Sequence, residues 1–159
     1  MTVPQRDFLR HTVATLAYRG GKAVRDAPAE FSPFRIKELT RTPGQILAHI
    51  CDLLDWALSQ AQGEQRWNDS TPQAWEEDVR RFFAALAALD EHLASERPLG
   101  FPAEQIFQGA IADALTHVGQ INMLRRLAGS RVKGENYFRA DIVAGRVGPE
   151  QTAPRREFD

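Results

Sequence analysis

Three side chains of metal-ligand type stand out in this chain of 159 residues: His49, Asp113 and His117. Asp113 and His117 lie four residues apart in a segment, 103–128, whose apolar residues recur every three or four positions. That period predicts an α-helix with one apolar face. Side chains four residues apart on a helix lie on the same side and can reach one point in space. The spacing therefore favours a site in which both residues bind one divalent ion.

The same two residues interrupt the stripe that is predicted to face the core. Its members are spaced four, three, four, four, three and four apart: Ile106, Ala110, Asp113, His117, Ile121, Leu124 and Ala128. Because an unpaired carboxylate is costly to bury, Asp113 must be paired, bound to a metal or exposed. His49 borders the apolar face of another predicted helix; it is the third candidate ligand, or a hydrogen-bonded core histidine. Three protein ligands leave open positions on a metal, as in catalytic sites.

Four segments with helical periodicity are predicted to position these residues, at about 4–24, 43–61, 72–95 and 103–128. A non-helical tail, 129–159, follows them. The second helix has the clearest start, since Thr42 is a typical N-cap and Gln45 three residues later completes a capping box. No segment has the alternating pattern of a strand. The expected fold is an all-α four-helix bundle, one domain over residues 1–159.

The connection between the second and third helices leaves two topologies open. About ten residues of extended chain span up to ~33 Å, and a helix of twenty residues is ~30 Å long. The two helices could therefore run parallel, joined by a crossover along the bundle, or antiparallel, as an ordinary hairpin. The residues themselves do not decide between these alternatives.

The other histidines and the single cysteine are interpreted as structural. His11 falls on the outer face of the first helix. His92 falls in the last turns of the third, where the helix C-terminus favours a cation. Both are predicted to be exposed. Cys51 is predicted to be a small buried residue rather than a nucleophile, and a lone cysteine cannot form an intramolecular disulfide.

Two carboxylates are weak candidates for a general base near the site. Asp52 follows His49 by three residues and could orient its imidazole, although a solvated helix charge is the alternative interpretation. Glu135 lies in the tail, outside any predicted helix. Neither residue occurs in a pattern typical of acid–base catalysis, so no catalytic residue is assigned.

Composition argues against two classes of partner. The formal net charge is −1 and the isoelectric point is about 6.4, which is not the electrostatic footprint of a protein that binds nucleic acid or an anionic membrane. No apolar run reaches the ~18 residues of a membrane-spanning helix, and the first residues lack the apolar core of a signal peptide. We expect a cytoplasmic protein whose partners are small molecules.

The segments around the candidate ligands resemble a known family. Two segments are similar to motifs of the DinB/YfiT-like metal-binding four-helix bundles: residues 46–50, which include His49, and residues 117–120, followed by Leu124 and Arg125. The resemblance covers all four predicted helices. Two stretches of the tail are similar to one subgroup of that family: 134–142 and 145–148.

The resemblance implies a metal-binding triad of one histidine on the second helix and a His-x-x-x-His pair on the fourth, just ahead of a Gly-Gln dipeptide. His49 and His117 match the first and last positions, whereas Asp113 stands where the family commonly has histidine. Two histidines and a carboxylate form a harder ligand set than three imidazoles. The resemblance therefore implies one divalent ion, and leaves Zn, Ni, Mn and Fe all open.

The resemblance also implies an up-down-down-up topology and a class of chemistry. The family includes metal-dependent transferases of low-molecular-weight thiols, and its historical link to stress is induction after DNA damage. A divalent-metal-dependent transfer of a small thiol to an electrophile is therefore the first functional hypothesis. A metal-dependent hydrolase and a non-catalytic metal- or ligand-binding bundle are the alternatives.

A strip of small residues runs beside the candidate ligands on the fourth helix: Gly109, Ala112, Thr116 and Gly119. Glycine inside a helix costs up to ~1 kcal/mol relative to alanine, so two of them suggest that another helix approaches closely. That helix could belong to the same chain or to a second copy. In the second case the strip would form a two-fold homodimer interface.

Overall fold

The computed structural model describes residues 3–159 and contains four long helices. The first three are α1 (Val3–Val24), α2 (Pro43–Ala61) and α3 (Trp75–Ala94). The fourth, α4, consists of three consecutive segments: an α-helical turn (Ala103–Ile106), a π-helical turn (Phe107–Ile111) and a longer α-helix (Ala112–Leu127). The predicted all-α four-helix bundle is confirmed.

The tail that follows α4 is almost entirely irregular, as predicted. It contains a 3-10 turn (Tyr137–Arg139) and two short strands, β1 (Gly134–Glu135) and β2 (Glu157–Phe158), which pair antiparallel. Glu135 anchors the tail to α1, because its carboxylate accepts hydrogen bonds from the Tyr18 hydroxyl at 2.5 Å and from Lys22 Nζ at 2.7 Å.

Helices α2 and α3 run parallel, which settles the topology that the connection length left open. Gly44, at the start of α2, lies beside Pro72, just before α3. At the other end, the amide of Gly100 donates to the carbonyl of Ala61 at 2.9 Å. The 62–74 connection therefore crosses over along the length of the bundle.

Helices α1 and α4 run opposite to that pair. Arg6 near the start of α1 donates to the carbonyl of Leu93 near the end of α3 at 2.6 Å, so α1 and α3 are antiparallel. Arg125 near the end of α4 donates to the carbonyl of Ala23 near the end of α1 at 3.0 Å, so α1 and α4 are parallel. The order is up-down-down-up.

One continuous apolar core joins all four helices, and the tail contributes Val147 to it. Burying a large aliphatic or aromatic side chain contributes roughly 1.5–3 kcal/mol, so this core is the main stabilising element of the bundle. Within residues 3–159, no helix combines the length and the apolar character that crossing a bilayer requires.

The second helix begins as its sequence predicts, whereas the third begins later. The Thr42 hydroxyl accepts from the amide of Gln45 at 3.2 Å, and the Gln45 side chain accepts from the amide of Thr42 at 2.9 Å. The start of α3 at Trp75, instead of residue 72, has a local cause: the Asp78 carboxylate accepts from the amide of Gln73 at 2.9 Å and holds that backbone outside the helix.

His92 is buried, so its predicted exposure is wrong. Only 3% of the residue is exposed, because the N-terminal turns of α1 and the 95–100 connection cover the end of α3. Arg6 donates to the carbonyl of His92 at 2.7 Å and holds α1 against it. The carbonyls of Pro98 and Ala61 approach the buried ring, but within residues 3–159 neither ring nitrogen makes a hydrogen bond of good geometry. Burial, followed by the charge of Arg97, lowers the pKa of His92.

Candidate metal centre

The π-helical turn of α4 decides where the candidate ligands lie. A π turn adds one residue to the helix, and one residue corresponds to ~100° of rotation. Ile106 is buried before the turn, and Ala110 and Ile111 are both buried within it. After the turn, Ala114 and Val118 are buried in place of the predicted Asp113 and His117, and Ile121 is buried as predicted.

This shift corrects the predicted stripe. Asp113 and His117 lie at the edge of the buried face of α4 rather than at its centre. The Asp113 side chain is 48% exposed and that of His117 is 12% exposed. The carboxylate therefore needs no buried partner, and both side chains can be reached by a ligand from solvent.

The structure nevertheless brings all three candidate ligands together. Asp113 Oδ1 lies 3.4 Å from His117 Nε2, and Asp113 Oδ2 lies 3.8 Å from His49 Nε2. One ligand atom from each of the three residues lies within 4.8 Å of the others, so the group could hold a metal ion. The two imidazole rings are perpendicular, with their centroids 4.7 Å apart.

Gln120 determines which nitrogen of His117 faces the other ligands. His117 Nδ1 lies 2.7 Å from Gln120 Oε1. With the Gln120 amide in this orientation, Oε1 accepts from Nδ1–H, and the neutral imidazole of His117 presents its Nε2 lone pair to Asp113. A second hydrogen bond that fixes the tautomer in this way is typical of metal-bound histidines. Gln120 follows His117 by three residues, a helical spacing that could have identified it.

His49 is held in the form that binds metals. Its side chain is 19% exposed. Burial above all lowers the pKa of His49, followed by the repulsion that a protonated His117 and Arg41 would exert, so this imidazole is neutral at neutral pH. The indole of Trp67 packs edge-on against it at 5.6 Å between centroids. Trp67 belongs to the 62–74 connection, which has no periodicity from which its position could be predicted.

Neither weak candidate for a general base serves the site as proposed. Asp52 is 2% exposed, so it is not a solvated charge, and its carboxylate binds Ser70 and Arg81 rather than His49. Burial alone would raise its pKa, but these hydrogen bonds lower it. Glu135 is paired with Lys22 on α1.

The predictions for Cys51 and His11 are confirmed. Cys51 is fully buried, and burial raises the pKa of its thiol to about 12, which removes it as a nucleophile. His11 is exposed on the outer face of α1.

Two clefts flank the pair of imidazoles, and Arg41 lines both. The first, about 360 Å³, has largely polar walls that include His49 and Asp69. The second, about 370 Å³, has mainly apolar walls and is bordered by His117: Ile36, Ile46, Met123 and Leu124 contribute its apolar surface. A larger apolar groove of about 480 Å³ lies at the far end of α4, around Phe107. Ten residues of helix, ~15 Å, separate it from His117.

The distances fit an ion better than direct contacts among the three side chains. A tetrahedral ion with bonds of ~2.1 Å keeps its ligand atoms ~3.4 Å apart. Asp113 Oδ1 and His117 Nε2 have this spacing, and Asp113 Oδ2 and His49 Nε2 are slightly farther apart. All three ligand atoms lie within 4.8 Å of one another, so the side chains would move closer together around a bound ion. These separations are longer than an ordinary hydrogen bond between a charged nitrogen and an oxygen. Solvent can reach the exposed side of Asp113, so positions for further ligands stay open.

No protein-family model matches the chain, and neither the curated proteins nor the solved structures contain a significant match to it.

Proposed function

We propose that the chain binds one divalent metal ion through His49, Asp113 and His117 and uses it in enzymatic chemistry. The main observation behind the proposal is that two hydrogen-bond acceptors face each other: His117 Nε2, with its lone pair, and the carboxylate of Asp113 lie 3.4 Å apart. Two such groups repel each other unless a cation lies between them or the imidazole gains a second proton. Of these two possibilities, a metal ion is favoured over a second proton, because the neutral imidazole of His49 lies at the same point and can also bind the ion.

The reaction that this site supports best is transfer of a small thiol to an electrophile. A divalent ion with open positions would lower the pKa of a thiol or of a water molecule there. His49 and His117 fix the place of the ion, Gln120 fixes the ring of His117, and Asp113 contributes the one negative charge of the ligand set. Trp67 covers one side of His49 and limits the access of water.

A hydrolase is the second candidate, since the same open positions would accept water. It is supported less well, because the two carboxylates that the sequence offers as a general base, Asp52 and Glu135, are both paired. A non-catalytic bundle that only retains the ion is the third reading.

The proposed relationship to the DinB/YfiT-like bundles rests on the motifs around His49 and His117. The up-down-down-up order supports it, and so does the position of the three side chains between α2 and α4. The departure at Asp113 bears on metal identity, because a carboxylate favours harder ions than a third imidazole.

The experiment that tests the transferase proposal is conjugation of a generic electrophile by a panel of small thiols, with metal-stripped protein as the blank. The advantage of the metallated protein should be greatest below about pH 7.5, where a free thiol with a pKa of about 8.5 supplies little thiolate. Asp113→His should keep metal and activity, whereas Asp113→Ala should lose both. If no thiol reacts faster with metallated protein, the transferase reading fails and the hydrolase and binding readings take its place.

A further inference from the structure

Arg41 is a cation without a partner at the centre of the two clefts. It is exposed, and it forms no ion pair or hydrogen bond with any residue between 3 and 159. The other guanidinium of this region behaves differently, since Arg81 binds Asp52 and Asp55 at 2.7 and 2.8 Å. Asp69, on the exposed connection before α3, also lines the polar cleft, but it forms no ion pair with Arg41.

The position of Arg41 is electrostatically unfavourable in the free protein. It directly precedes Thr42, the N-cap of α2, and the positive end of a helix dipole disfavours a neighbouring cation. The first amides of α2 cannot offset this by binding an anion themselves, because that of Gly44 donates to the carbonyl of Ser32 at 3.1 Å and that of Gln45 to Thr42. Any anion at this point must therefore be bound by the guanidinium.

The charge of the whole site points the same way. A divalent ion held by two neutral imidazoles and one carboxylate leaves one net positive charge, and Arg41 adds a second. The cleft that Arg41 and His117 share has no carboxylate of residues 3–159 in its walls. Asp69 lies in the other cleft, and the Asp52 carboxylate is already paired. An anionic group on a bound molecule would offset this excess, and a guanidinium binds carboxylate and phosphate oxygens with two parallel hydrogen bonds.

We propose that the substrate of this site is a small amphiphilic anion: Arg41 binds its carboxylate or phosphate group, and the cleft lined by Ile36, Ile46, Met123 and Leu124 binds its apolar part. The inference rests on the proposed metal-dependent function, because the reacting end of such a molecule would lie at His117, which borders the same cleft. A carboxylate and a phosphate would bind Arg41 through the same kind of hydrogen bonds, so the experiment below distinguishes between them.

The test is a titration of metal-free protein with hexanoate, hexyl phosphate and 1-hexanol, followed by NMR chemical shifts. Metal-free protein is used because a carboxylate could also bind the ion directly. At least one of the two anions should bind wild-type protein about tenfold or more tightly than hexanol, as expected of a charge-assisted hydrogen bond. The tighter of the two assigns the anionic group.

Two variants decide whether Arg41 is responsible. Arg41→Gln should abolish the preference for the anion, whereas Arg80→Gln, which removes an exposed arginine on the outer face of α3, should retain it. Equal binding of hexanol and both anions to wild-type protein would overturn the inference, and so would an unchanged preference in Arg41→Gln.

Metal content measured on the same variants separates this inference from the function on which it rests. Arg41 is not a ligand, so Arg41→Gln should keep its metal. Anion binding that depends on Arg41 in a protein that binds no metal would refute the proposed metal centre and keep the anion site. A wild-type protein that holds a full complement of metal but shows no preference for the anion would support the metal centre and refute the anion site.

Discussion

Gln120 is the residue on which the geometry of His117 depends. Its side-chain oxygen accepts from Nδ1 at 2.7 Å and so directs Nε2 towards Asp113. We predict that Gln120→Ala lowers metal affinity by roughly 10–100-fold, the usual effect of removing a hydrogen bond that orients a ligand. The measurement is a competition titration with a metal chelator. The conservative variant Gln120→Glu should keep most of the affinity, and wild-type affinity in Gln120→Ala would show that Gln120 does not orient the ring.

Because His92 is buried, we predict that the stability of the folded protein falls at acidic pH. Burial lowers its pKa in the folded protein below the ordinary value of about 6.5, so the unfolded chain binds the proton more readily. The stability that the neutral form contributes is complete above about pH 6.5 and is lost as the pH falls from there towards the lowered pKa.

The variant that tests this is His92→Leu, which removes the titrating group and fills the same buried space. Urea unfolding between pH 7 and pH 5 should show a smaller loss of stability in the variant than in wild type. His49, whose pKa is also lowered, is present in both proteins and cancels in the comparison. Parallel pH profiles would mean that His92 does not contribute to the acid sensitivity.

At the scale of the elements, helix periodicity predicts the bundle but not the exact face of α4. The capping box of α2 involves only residues that are close in sequence, so Thr42 and Gln45 predict it directly. The π turn at 107–111 has no comparable signal in the sequence. Asp113 is consequently half-exposed rather than in the core stripe. The burial of His92 is missed for a related reason, since α1 covers it and that contact is 86 residues distant in sequence.

Two helical glycines make a matched test of these helix contacts. A Cβ on Gly119 of α4 would meet no atom within 4 Å, whereas a Cβ on Gly20 of α1 would lie 2.6 Å from the buried ring of Phe82. Gly119→Ala should therefore raise the free energy of unfolding by ~0.5–1 kcal/mol, and Gly20→Ala should lower it by ~1–3 kcal/mol through overpacking. Chemical denaturation measures both. A destabilised Gly119→Ala or a stabilised Gly20→Ala would contradict these contacts.

At the scale of the whole molecule, the strip of small residues on α4 is not fully covered by the chain's own helices. Thr116 and Gly119 are exposed, and Gly109 has only an ordinary contact, 3.9 Å, with Trp56. We therefore keep the prediction that this strip is a homodimer interface. Light scattering should show a dimeric wild type and a folded, monomeric Gly119→Leu. A dimer that persists in Gly119→Leu would exclude this strip.

The metal content of the purified protein tests the central claim most directly. His117→Ala removes a proposed ligand, and His11→Ala removes an exposed histidine of α1 and serves as the control; buried His92 is unsuitable for that purpose. Elemental analysis should find one divalent ion per chain in wild type and in His11→Ala, and far less in His117→Ala. Equal metal content in the two variants, or none in wild type after growth with Zn, Ni, Mn and Fe, would contradict the assignment of His49, Asp113 and His117 as a metal centre.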